Sequence, residues 1–409
     1  MSREVTGREP PTAATSRGGR LAARCIWLAP GVELSPGELC WDGGGRITAL
    51  RRPSGKVADL CVLPGLVDAH AHLQIESVGS VHSFLPWVRA VLANRAVQTP
   101  AARAAAADAA LQALQAEGVT AVGEIDSTGG SPARMARVGV AGRCYQELTG
   151  FHLDAEGARR LVRARRQKAL GGVAAGLSPH APYSVSAALF QAAARATRHL
   201  AIHCAELAEE QQFLRDGTGP FADLLRQLGR LPEDFRPPGV GAVAWLERLG
   251  ILRPSTQLVH CQELERGDAA RIAASGASVV VCPGTMGWFG RQPPPVPAWL
   301  AAGIPVGLGT DSRGSCQVFS MRAELQQAAR HWPELAPATL FSMATAGGGR
   351  ALGRPGLGRL QRGGRADFLA IAATDDRADA HLAPFVHGET PVERVVCGGR
   401  PVRAGRLRR

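Results

Sequence analysis

Lysine is almost missing from this chain of 409 residues: Lys56 and Lys168 stand alone, so nearly all of the 47 basic residues are arginine. The net charge of +12 reflects that arginine bias, and the basic residues form no stripe. Aromatic residues make up only 5%. Binding of single strands needs a basic groove interleaved with stacking aromatics, so no nucleic-acid partner is expected. No run of 18 or more apolar residues occurs, which excludes a helical membrane span. The first twenty residues lack the apolar core of a signal peptide. The nine cysteines include no C-x-x-C pair, which argues against a zinc ribbon or a thioredoxin-like centre. These absences point to a cytoplasmic protein with reduced thiols and no membrane partner.

What is present is length and pattern. At 45% hydrophobic, the chain can bury one large α/β barrel and a smaller domain. Residues 1–19, rich in Pro, Gly and polar groups, read as a disordered tail, and Arg403, Arg406, Arg408 and Arg409 as a solvated one. Short apolar runs punctuated by Gly and Pro fill residues 20–62, and a matching set fills 360–409. Their turn spacing predicts a small β-sandwich domain formed from both chain termini.

Residues 63–359 between them alternate strand and helix. Eight candidate strands are Leu66–His72, Thr120–Ile125, Gly142–Leu148, Ala175–Pro179, Leu200–His203, Gln257–His260, Ser278–Cys282 and Pro305–Asp311. Helical spacing covers Ala101–Gln115, Glu156–Leu170 and Ser186–Arg198, with Ser186 placed as an N-cap. Eight such units predict an α/β fold, a (β/α)8 TIM-type barrel. A doubly wound sheet would want G-x-G-x-x-G after its first strand, and that is missing.

The polar residues fall at strand ends. The first strand closes on His70 and His72, whose side chains share one face because strand side chains alternate. His180 follows the fourth strand, and His203 ends the fifth with Glu206 three residues on. His260 ends the sixth and Asp311 the eighth. In a barrel those ends converge on one mouth. Three histidines and an aspartate from this set suit one Zn²⁺ or Fe²⁺, whose work is to bring the pKa of a bound water to ~7. Glu206 can handle protons beside such a centre, and His260 can hydrogen-bond the water or developing negative charge. A two-metal site would want a bridging lysine at the fourth strand end, where neither lysine lies.

The motifs Pro64-Gly65-Leu66-Val67-Asp68-Ala69-His70-Ala71-His72, Ser178-Pro179-His180-Ala181-Pro182-Tyr183, His203-Cys204-Ala205-Glu206, Val259-His260-Cys261 and Gly307-Leu308-Gly309-Thr310-Asp311-Ser312 resemble the amidohydrolase superfamily. The branch is that of cytosine, guanine and S-adenosylhomocysteine deaminases and triazine chlorohydrolases. The resemblance implies a metal held by His70, His72, His203 and Asp311, one divalent ion per chain, Zn²⁺ with Fe²⁺ as the alternative. It implies that Glu206 carries a proton to a ring nitrogen, that His260 orients the water, and that His180 touches substrate. The implied reaction is hydrolytic deamination of a small heterocycle: metal-bound hydroxide attacks the ring carbon bearing the amine, Asp311 accepts the water's proton, and ammonia leaves. Hydrolytic dechlorination and cyclic-amide hydrolysis use the same centre. A homodimer is the assembly the family often adopts.

Within the branch, the segments Phe84–Arg89 and Phe289–Arg291 look most like aminodeoxyfutalosine deaminases, which makes Trp87 a substrate-binding candidate. Two segments depart from the pattern: Gly284-Thr285 stands where Arg-Ser is usual, and Arg313-Gly314-Ser315-Cys316 where Leu-Ala-Ser-Asn is common. Arg313 is then a candidate contact for an anionic substrate group.

Overall fold

The computed structural model describes residues 18–402, so the expected tails lie almost wholly outside the described residues. Strands β1 (Gly19–Ala29), β2 (Val32–Leu34), β3 (Gly37–Trp41), β4 (Ile47–Arg51) and β5 (Ala58–Pro64) come first. Then β6 (Leu66–Ala71), β7 (Val119–Asp126), β8 (Ala141–Leu148), β9 (Val173–Pro179), β10 (Leu200–Cys204), β11 (Thr256–His260), β12 (Ser278–Val281) and β13 (Val306–Leu308) alternate with helices. The chain closes with β14 (Phe368–Ala372), β15 (Arg394–Cys397) and β16 (Arg400–Pro401).

β6 to β13 hydrogen-bond in chain order, each parallel to the next. This is the (β/α)8 barrel, and all eight expected strands are present. The ring closes at a single parallel bridge between Ala71 and Asp311 rather than along a full ladder. β13 stops at Leu308 because Asp311 adopts left-handed φ (58°), which ends the extended run. The barrel is plugged from below: Leu352 and Leu357 pack against Val67, Ala121 and Tyr145, and Ala351 against Ala69 and Val280. The open end is therefore the one where the strands finish.

The terminal strands make one sheet in the order β16-β15-β14-β5-β1-β3-β4, with β2 on β1. Alternation explains how it serves two cores. Ile26, Leu60 and Val62 pack with Leu39, Ile47 and Phe368 inside the terminal unit. Their neighbours Cys25, Trp27, Cys61 and Leu63 turn the other way into the main core. Gly65 is the hinge between β5 and β6, and a Cβ there would lie 2.2 Å from Thr120 Oγ1.

Two helices match their sequence signals closely. Pro100–Ala116 starts behind Thr99, which accepts from Ala102 N at 3.1 Å, and Ala187–Ala196 behind Ser186, which accepts from Leu189 N at 3.2 Å. The third ends early, at Arg165 instead of Leu170. Leu170 and Val173 instead exchange backbone hydrogen bonds of 3.0 Å across Gly171, whose φ of +58° favours glycine.

Candidate active site

β6 carries the feature that makes the site. Val67 and Ala69 point into the barrel interior, so strict alternation would send His70 and His72 outward. The β6–β7 register shifts between Asp68 and Ala71, and the shift reverses the phase. Ala71 and Leu73 then face the outer core, and both histidines face the barrel mouth. Asp68 fixes this bend: it accepts from His70 N at 3.3 Å, Thr310 N at 3.1 Å and Thr310 Oγ1 at 2.6 Å. Gly309 lets the eighth strand end pass close by, since a Cβ there would sit 2.7 Å from the His70 carbonyl.

His70, His72 and His203 form a buried group whose ligand atoms lie within 4.8 Å of one another. His72 Nε2 and His203 Nε2 are 3.2 Å apart, close to the ~3.3 Å that two nitrogens bound at 2.0–2.1 Å keep on one tetrahedral ion. Asp311 Oδ1 lies 3.8 Å from His70 Nε2 and 3.7 Å from His72 Nε2. Both ring nitrogens of His70, which is fully buried, have no hydrogen-bond partner among the described residues, although buried polar atoms normally find one. Burial lowers the His70 pKa to about 4 and that of His72 well below its usual value, so both stay neutral with a lone pair to offer. His203 is oriented from behind, Nδ1 donating to the His180 carbonyl at 2.9 Å, which leaves Nε2 as the donor atom. These residues fit a divalent metal.

Asp311 is oriented as well. Its Oδ2 accepts from Thr285 Oγ1 at 2.9 Å and Ser315 Oγ at 3.0 Å, leaving Oδ1 toward the histidines. Those hydroxyls come from the two segments that depart from the superfamily pattern, and no motif in the sequence marks them for a role. Four non-glycine residues have positive φ: Ala205 (50°), His260 (75°), Cys261 (53°) and Asp311 (58°). Among the described residues these are the only ones, and all lie at this rim. Such strain persists where the fold must aim particular side chains.

Glu206, 4% exposed, turns into the same cavity just past Ala205. Its Oε2 is 3.8 Å from His260 Nε2 and its Oε1 2.8 Å from Arg291 Nη1. Burial pushes its pKa up, but His260 and Arg291 more than offset that, holding the carboxyl below its usual value. The cavity, ≈ 340 Å³, is also lined by His180, Trp87, Tyr183, Phe221 and Phe289. Tyr183 and Phe221 stack at 4.0 Å, and Trp87 is pinned by its Nε1 to the Gly314 carbonyl at 2.6 Å. The outer wall is mostly apolar, with Val88, Val91, Leu92, Leu224, Leu225 and Leu228, and carries the charged side chains Arg95, Glu147 and Arg230 as well. Arg313 is not brought to it: its guanidinium donates to the Ala106 carbonyl and lies 5.8 Å from the Phe319 ring.

A second cluster of metal-ligating types, Cys25, Cys61 and His381, lies beneath the terminal sheet. There His381 Nε2 already accepts from the amides of Thr374 (3.0 Å) and Asp375 (3.3 Å), so its lone pair is used.

The amidohydrolase family's sequence profile matches residues 61–402. The aminodeoxyfutalosine deaminase of Deinococcus radiodurans is 31% identical over 372 residues, 81% of this chain and 85% of that one. A 5-methylthioadenosine/S-adenosylhomocysteine deaminase of Nitratidesulfovibrio vulgaris is 28% identical, covering 76% of this chain and 71% of its own. Among solved structures, the Helicobacter pylori aminofutalosine deaminase in complex with methylthio-coformycin superposes with a TM-score of 0.81 at 21% identity. It covers 94% of this chain and 100% of its own, and shows the same fold. With its motifs on the strand ends of one barrel and the family profile spanning most of its length, the chain belongs to the amidohydrolase family.

Proposed function

We propose that the chain is a metal-dependent hydrolytic deaminase of an aminated purine-type heterocycle or nucleoside, with an aminodeoxyfutalosine-like substrate favoured. His70, His72, His203 and Asp311 hold one Zn²⁺, with Fe²⁺ as the alternative, since three imidazoles and a carboxylate suit both. When bound, that ion supplies an activated water at neutral pH. Asp311 Oδ1 takes the water's proton as the water attacks the ring carbon. Glu206 moves a proton onto the ring nitrogen, and His260 hydrogen-bonds the oxygen as charge develops. His180 and Trp87 contact the heterocycle. The nine cysteines are free thiols, which suits work in the cytoplasm.

The observation that carries this reading is Glu206 in one cavity with the His/Asp cluster. Displacing an amine from an aromatic ring needs the ring nitrogen protonated and the amine protonated before it leaves; Glu206 beside the cluster can deliver the first proton, and the water's other proton, taken by Asp311, goes to the amine. The names of the relatives agree with that chemistry. The test is turnover of aminodeoxyfutalosine and S-adenosylhomocysteine in oxygen-18-labelled water, followed by mass spectrometry. Labelled oxygen replacing the amine supports hydrolytic deamination. Unchanged substrates in metal-loaded protein would move the reading to dechlorination or cyclic-amide hydrolysis.

A further inference from the structure

Arg291 stands behind Glu206, and neither the motif pattern nor the reading above gives it a task. Its Nη1 is shared between Glu206 Oε1 at 2.8 Å and Gln262 Oε1 at 3.0 Å. The guanidinium is gripped by two rings, with its carbon 4.7 Å from the Phe289 centre and 5.4 Å from that of Phe84. An arginine that served only to neutralise a carboxylate would be expected to offer its planar fork to both oxygens. Here one oxygen is held and the other is left toward His260.

We propose that Arg291 is a positioning residue for the proton shuttle: it fixes Glu206 Oε1, leaves Oε2 as the one oxygen that exchanges protons, and makes protonated Glu206 acidic enough to serve a weakly basic aromatic nitrogen. The inference rests on the shuttle role given to Glu206 above. The step is a proton transfer only. Glu206 Oε2 receives one of the attacking water's two protons, Asp311 taking the other, and the Glu206 O–H bond then breaks as an N–H bond forms on the ring. A guanidinium cannot itself give up a proton in this range, so it acts through Glu206. The other groups facing Glu206 are His260, which favours the carboxylate, and the acids Asp311 and Glu210 and the phenol of Tyr183, which do not. Removing Arg291 therefore takes away one of the two side chains that favour the carboxylate against burial and the neighbouring acids, His260 being the other.

The test uses zinc-loaded full-length protein labelled with carbon-13 at the glutamate carboxyls. The Glu206 signal is identified by its loss in E206Q. In R291M, which keeps an unbranched side chain between Phe84 and Phe289, the Glu206 midpoint is expected to rise by ~1–3 pH units, the usual effect of an opposite charge at this range. The acid limb of kcat/KM should move up with it, because the ionised carboxylate is the form that accepts the proton. kcat should fall with KM little changed, R291K should recover part of the rate, and E206Q/R291M should be no slower than E206Q. R291Q, which removes the charge and keeps an N–H donor, reads the same midpoint if R291M does not fold. An unchanged midpoint, or a raised KM with an intact pH profile, would overturn the proposal. If E206Q itself turns over normally, the shuttle reading fails, and the midpoint in R291M still decides whether Arg291 governs Glu206. If E206Q is inactive and the midpoint stays put, the shuttle stands and the role of Arg291 falls.

Discussion

His203 and Glu206 are three residues apart and carry opposite expectations. H203A should lose metal and turnover together, because it removes one of four ligands from a site built around all of them. E206Q should keep its metal and lose rate by about 10²–10⁴-fold, the range of general acid–base catalysis. Metal content by elemental analysis beside initial rates separates the two, and E206Q with full activity would remove Glu206 from the chemistry. Thr285 and Ser315 act one step back, through Asp311 Oδ2. T285V/S315A should weaken zinc binding by about 10–100-fold, measured by competition with a chelator, as outer partners of metal ligands generally do. His70 sets a pH dependence for the metal-free protein. Its folded pKa is about 4, below the ordinary value of 6.5 that it regains on unfolding. Below about pH 6.5 the unfolded chain takes up a proton that the folded chain refuses, so stability should fall between pH 6.5 and 4. Urea melts of stripped protein at several pH values would show it, and flat stability across that window would contradict it. The residues that sequence alone could find are those at strand ends. Thr285 sits in the short helix Pro283–Trp288, Ser315 on the loop four residues past Asp311 and Arg291 on a loop far from Glu206, and a hydroxyl or guanidinium in such places looks like any surface residue.

At the scale of elements, the eight barrel strands were legible because each is a short apolar run between turn residues. What could not be read was how two of them end. The phase of β6 reverses at a register shift, and nothing in Val67-Asp68-Ala69-His70 marks that the pleat slips there. The eighth strand stops three residues early because Asp311 turns left-handed, a tertiary demand set by its closeness to His70. The helix from Ala155 ends before its amphipathic pattern does, since Gly171 makes a turn that competes with another helical turn. The strand-end contact can be tested through Gly309. G309A places a methyl group 2.7 Å from the His70 carbonyl, so the sixth and thirteenth strands must move apart. The expected cost is about 1–3 kcal/mol of stability with weakened metal binding. Denaturant titration checks the first and chelator competition the second, and a wild-type midpoint with wild-type affinity would show that the close approach does not matter.

At the scale of the whole molecule, the terminal sheet and the barrel share a core through one strand. β5 turns Cys61 and Leu63 toward the barrel and Leu60 and Val62 toward the terminal unit. The barrel floor is filled by Ala351, Leu352 and Leu357, so the cavity opens only where the strand ends gather their polar residues. That architecture explains why motifs spread from His70 to Asp311 meet at one mouth, and why the family was legible from them. The substrate was less legible, because the mostly apolar outer wall is built from helices 84–97 and 220–227 whose spacing reads as ordinary packing.

Deaminase chemistry stands or falls on ammonia. Purified full-length protein, with bound metal quantified in the same sample, is given adenine nucleosides, aminodeoxyfutalosine, guanine, cytosine and triazines. The expected result is about one metal per chain and ammonia released in step with loss of one aminated nucleoside, abolished by chelation and restored by zinc. One metal per chain with no ammonia from any of them would contradict deamination and leave a hydrolytic barrel of another specificity.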